Sequence, residues 1–214
     1  MRRRAGGFTL LEVLVATALL AAGLLLAFAT VRSAQAVASR GEQKVASNEL
    51  MRGVLDVLRA RLQAALPQGF ERLDDGVPAT RFDGQRQRLR FVADVPGYFG
   101  RGGPYLHDLE VVPVPRGEGV QLQLGLVLVQ GGEQVPENPP RAPEVIADGL
   151  REVTLRYRGL DPLRGQLGPW QDQWPWADHL RPPQLVEISV QPLQGPAWPP
   201  LVVAIPQVRA GGGR

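Results

Sequence analysis

The chain has no cysteine, one lysine (Lys44), two histidines (His107 and His179) and four serines among 214 residues. Without cysteine, disulfides and thiolate chemistry are excluded, and the redox compartment stays open. Two imidazoles cannot build a zinc site made mainly of histidine, so His107 and His179 are read as polar surface or interface residues. Of the four serines, Ser33, Ser39 and Ser47 fall in a helical stretch and only Ser189 does not, which argues against a serine nucleophile served by a histidine base. Basic excess is also missing once charge is placed along the chain. Arg2, Arg3 and Arg4 supply three of the 24 basic residues, and the other 21 balance 21 acidic ones. The net charge of +3 therefore belongs to the N-terminus and gives no support for nucleic-acid binding. Gly100, Gly102 and Gly103 lack the strand–loop–helix context of a phosphate loop. Asp74-Asp75, Asp161, Asp172 and Asp178 lack calcium-loop spacing and read as solvated acidic turns. No cofactor and no metal is expected.

What is present begins with a long apolar run. Phe8 to Val31 carries one charge, Glu12, and is long enough to span a bilayer at about 1.5 Å per residue. The arginines before it orient the N-terminus to the cytoplasm. A secretory signal is the competing reading, but the run is long for a signal core. The nearest cleavage-like site, Ala34-Gln35-Ala36, leads into residues that stay in helical register. A carboxylate inside a membrane helix is costly and marks a functional position.

From Arg32 to Leu66 no proline interrupts a stretch of good helix formers. Met51, Leu55, Leu58, Leu62 and Leu66 recur at helical spacing, widened by Val54 and Ala65. Arg52, Asp56, Arg59, Arg61 and Gln63 fall outside that stripe. The pattern predicts one helix from about Thr9 to Leu66, ended by Pro67 and Gly69, with Gly41 and Gly53 as weak points. The stripe suits packing on the chain's own sheet better than a coiled-coil seam, because a β-rich region follows and needs cover.

After Pro67 the period changes to two. Asp83-Gly84 is a turn signal, Arg88–Ala93 alternates, and Gly97–Pro104 reads as a loop. Leu109–Val114 and Val120–Val129 are strand candidates around Gly117-Glu118-Gly119. Leu126–Val129, apolar on both faces, is expected to be covered by the helix. Gln130–Pro143 reads as loop. Val145–Ala147, Val153–Arg158, Leu185–Val190 and Leu201–Ile205 are further strands. Between them lies an insertion, Gly159–Pro183, with Trp170, Trp174 and Trp176. These tryptophans suit core plugs and a partner-binding face equally well. The predicted fold is α+β, a long N-terminal helix packed on a mainly antiparallel sheet. Its expected segments are 1–7 leader, 8–31 transmembrane helix, 32–66 periplasmic helix, 67–209 β-rich domain and 210–214 tail.

Gly7-Phe8-Thr9-Leu10-Leu11-Glu12-Val13-Leu14-Val15-Ala16 resembles the processing and assembly motif of type IV pilins and type II secretion pseudopilins. The resemblance implies a pilin-like fold, cleavage after Gly7 by a prepilin peptidase, and N-methylation of Phe8. Glu12 would then neutralise the new amine of a neighbouring subunit, so that two charges in lipid become one pair. A second similarity covers Ile146–Tyr157, Trp170, Trp174-Pro175, Pro183–Ile188 and Ile205-Pro206. These residues resemble J-type minor pseudopilins of type II secretion. That family implies a non-enzymatic subunit at the tip of a pseudopilus. It would be anchored in the inner membrane with a periplasmic domain, and partnered by I- and K-type minor pseudopilins and the major pseudopilin. A minor pilin of a type IV pilus is the alternative within this class. A membrane-anchored periplasmic enzyme or binding protein is the alternative outside it, and would need a polar pocket with several convergent carboxylates and arginines.

Overall fold

A computed structural model of the chain describes residues 9–71, 79–95, 102–161, 164–175 and 180–207. The chain divides into two compact units, Met1–Leu50 and Met51–Arg214. Helix α1 (Leu10–Gln63) supplies nearly all of the described part of the first. Within it Leu10–Ser33 is long and apolar enough to cross a membrane, and none of its most apolar window is buried in the protein. Leucine and alanine dominate, which favours helix at every turn. The Thr17 hydroxyl donates to Leu14 O at 3.0 Å and the Thr30 hydroxyl to Ala27 O at 2.8 Å. Each satisfies its polar hydrogen on its own helix, as a lipid environment demands.

In the second unit the last turns of α1 lie on the sheet. Val54, Leu58 and Leu62 are buried, with Met51 and Leu55 packed beside them. Arg52, Asp56, Arg59 and Gln63 are exposed. The seam is occupied by the chain's own core, Leu89, Phe91, Leu109, Leu122, Leu155 and Ile188 among others, which answers the coiled-coil alternative for this face.

The helix stops at Gln63, not at Leu66. Ala65–Leu66 forms strand β1, antiparallel to Ala93 and Val92. Leu66 precedes Pro67, whose ring disfavours helical backbone in the residue before it, and β3 offers the freed amides partners. The remaining strands are β2 (Phe82–Gly84), β3 (Arg88–Val95), β4 (Gly103–Pro113), β5 (Val120–Gln130), β6 (Glu133–Val135), β7 (Glu144–Arg158), β8 (Leu185–Pro192) and β9 (Leu201–Ala204). Their order is β1-β3-β4-β5-β7-β8-β9, with β2 added to β3 and β6 to β5, and every pairing is antiparallel.

Several further expectations are corrected. Asp83-Gly84 is not the turn of its hairpin; both belong to β2, and the chain reverses at Gln85–Gln87. A Cβ at Gly84 would lie 2.6 Å from Tyr157 Cζ, so the glycine serves close approach rather than reversal. Gly103 and Pro104 begin β4 instead of closing a loop. Gln130–Pro143 contains β6, which folds back on β5 through Gly131 and Gly132, both at positive φ. The apolar end of β5 is not under the helix. Val129 packs with Phe70, Val92 and Leu106, and Leu128 with Val95 and Tyr105.

The sheet forks at β7. Pairing of β5 with β7 is confined to Val120–Leu124 and carries two register shifts. β7 continues against β8 to Arg158. Its vacated edge is taken by other backbone: Leu155 N donates to Arg86 O at 2.9 Å, and Tyr157 and Gln171 exchange two hydrogen bonds of 2.8 Å. The fork therefore brings the β2–β3 hairpin and the 159–183 insertion to one place.

Candidate assembly and partner sites

Thr9 opens α1. Its carbonyl and its hydroxyl both accept from Glu12 N, at 3.0 and 3.3 Å. Threonine at the cap with glutamate three residues on is the sequence pattern of a capping box. The cap sets where the helix begins, and so sets Glu12 in the first turn, where the helix macrodipole favours a carboxylate. Glu12 is exposed, and so are Leu10, Leu11, Val13 and Leu14 around it. Glu12 is thus the one carboxylate in the apolar segment Leu10–Ser33 of α1. Gly7 and Phe8 lie outside the described residues.

At the fork, Tyr157 is buried edge-on to Phe82, with ring centroids 5.9 Å apart. Its hydroxyl donates to Gln85 O at 2.7 Å. Burial first, and then Asp83, push this phenol well above its ordinary range. Trp174 closes the other side. Its backbone N–H donates to Gly84 O at 2.8 Å, its indole N–H donates to Arg181 O at 2.9 Å, and its ring packs against the main core. A Cβ on Gly159 would overlap that ring. Trp174 is thus packed, partly buried, against the core. Trp170 is half-buried on the outer surface, with the Arg156 and Arg158 guanidiniums 5.8 and 5.9 Å from its ring centroid. Trp176 lies outside the described residues.

Asp172 binds Arg86 at 2.9 Å and lies 3.9 Å from Arg156, and Arg156 also reaches Glu187 at 3.3 Å. Asp161 accepts from the backbone of Arg164 and Gly165 in a tight turn. Both acids are engaged by arginine or backbone, and among the described residues no group of three His, Cys, Asp or Glu is arranged for a metal. Asp74, Asp75, Asp178 and His179 lie outside the described residues. A shallow cleft beside the fork is lined by Gln85, Arg86, Gln87, Asp172 and Gln173. Its lining holds one carboxylate and one guanidinium, bound to each other at 2.9 Å, and Arg86 also reaches Glu152 at 3.4 Å.

His107 overturns its expectation. It is fully buried, not at the surface, and stacks on Phe91 with centroids 5.3 Å apart. Alternation along β4 could have shown this: Tyr105, His107, Leu109 and Val111 fall on one face, and all four are buried.

Residues 2–28 match the family model of the prokaryotic N-terminal methylation motif. The full chain is 49% identical over 214 residues to the type II secretion system protein J of Xanthomonas campestris pv. campestris, covering 99% of this chain and 98% of that protein. The chain belongs to the type II secretion system protein J family. The family is one of minor pseudopilins, and the apolar helix and antiparallel sheet domain found here agree with its pilin-like fold. For this J-family chain the matched motif contains Gly7, Phe8, Thr9 and Glu12, whereas the Trp170 surface lies in the full-length alignment only.

Proposed function

We propose that the chain is a structural subunit at the tip of a type II secretion pseudopilus, with Glu12 as its assembly residue and no catalytic role. A prepilin peptidase cuts after Gly7 and methylates Phe8. The α1 segment Leu10–Ser33 anchors the subunit in the inner membrane with its N-terminus cytoplasmic. The β-rich domain lies in the periplasm, where it meets I- and K-type minor pseudopilins and the major pseudopilin. The observation that supports the reading is Glu12, the one carboxylate in a segment long and apolar enough to cross a membrane, exposed and inside the matched methylation motif. Such a charge is stabilised when a neighbour's Phe8 amine is brought alongside, since each charge then relieves the other's desolvation. The full-length similarity to a secretion protein favours this over a pilus subunit, which would share the N-terminal motif alone.

The test is Glu12→Ala in the full chain, co-expressed with the I- and K-type subunits. Membrane insertion should persist, because the change makes the helix more apolar, while co-purification of the partners falls at least ten-fold. Undiminished capture would remove Glu12 from assembly.

A further inference from the structure

We propose that His107 is an acid-operated weak point: the fold holds its imidazole neutral, and protonating it loosens the end of α1 from β3 and β4. The ring is fully enclosed on β4, stacked on Phe91 of β3 at an interplanar angle of 20°. Nδ1 lies 3.0 Å from Tyr105 O and donates to it. Nε2 is buried and has no hydrogen-bond partner. A second proton would therefore place a charge against apolar side chains with nothing to accept it, the most expensive kind of buried polar group.

The surroundings point the same way. β5 sets Leu126 opposite His107. On β4 the flanking residues of the same face are Tyr105 and Leu109, while Asp108 alternates to the other face and holds Arg88 at 2.6 Å. From α1 the charged group bearing on the ring is Arg61, a cation that opposes a second positive charge. Burial is the main cause, and with Arg61 it outweighs the Tyr105 carbonyl to lower the imidazole pKa from 6.5 to about 4. A base whose folded pKa is lowered costs stability as pH falls: the unfolded chain takes the proton near pH 6.5, and the native state refuses it until about pH 4. Between pH 7 and pH 5 the ordinary carboxylates stay ionised, so this window isolates histidine. Because Phe91 shares its core with Leu58 and Leu62, the strain falls on the helix–sheet contact. The inference rests on the folded domain and is independent of the assembly role.

The experiment uses the full chain in detergent micelles, carrying His179→Gln so that His107 is the one imidazole. Hydrogen exchange of amides in Met51–Gln63, β3 and β4 is followed at pH 7 and pH 5, corrected for intrinsic rates. The opening equilibrium should rise roughly twenty-fold over that interval, the value two protonation constants near 6.5 and 4 imply. Adding His107→Phe should abolish the rise. An equal rise with phenylalanine in place, or none in the parent, overturns the proposal. Should the phenylalanine variant not fold, ring titration by NMR in the parent decides. Titration near 6.5 with protection intact overturns it, and titration that accompanies loss of protection supports it.

Discussion

At the scale of single residues, two glycines in one chain make opposite demands. Gly84 is in extended backbone beneath the Tyr157 ring, where a Cβ would meet three ring carbons at 2.6 to 3.0 Å. Gly84→Ala must displace a buried ring whose hydroxyl is held by Gln85 O, and should cost about 1–3 kcal/mol as other overpacking changes do. Gly53 lies in α1, and a methyl group added there would meet nothing within 4 Å. There alanine should stabilise by roughly 0.5–1 kcal/mol, the helix propensity difference. Urea midpoints of the two variants should move in opposite directions; an unchanged or raised midpoint for Gly84→Ala would refute the packing account of Gly84. From sequence both are simply glycines in patterned segments. Asp83-Gly84 looks like a turn because local turn chemistry is visible and a ring 73 residues away is not.

At the scale of elements, the stripe on α1 is legible because helical period and burial coincide. Leu58 and Leu62 follow from spacing alone and are 4% and 1% exposed. Leu62→Ala should destabilise the domain by about 2–5 kcal/mol, the range for emptying a buried leucine site. Val57→Ala, at a position 45% exposed on the same helix, should change it by less than about 1 kcal/mol. Comparable losses in thermal unfolding would mean that the helix is not seated by this stripe. Strand boundaries are harder to read. β1 takes the last two residues of a helical pattern because Pro67 and the β3 edge outvote propensity. β6 is three exposed residues whose extended state depends on pairing with β5. The charge on Arg88 is a case of mutual reinforcement across strands. Its hydrogen bonds to Asp108 raise the guanidinium pKa further above an already high value, so the arginine stays charged at any pH at which the fold survives.

At the scale of the whole molecule, the expected processing gives a direct test. After co-expression with a prepilin peptidase, intact mass should show loss of Met1–Gly7 and one methyl group on Phe8. An uncut chain would defeat the processing reading. A cut that leaves the J-family chain unable to join its partners would separate processing from assembly. The sequence by itself determined the apolar span, the carboxylate at Glu12, the α+β class and the stripe that seats α1. These depend on periodicity, charge and contiguous motif, all written in neighbouring residues. Tertiary structure alone decided that the sheet forks at β7, that Trp174 packs partly buried on the core while Trp170 stands beside two arginines, and that Phe91 is the ring on which His107 stacks. Each of those depends on which elements meet in the fold, and those partners are set by burial between elements rather than by the pattern within any one of them.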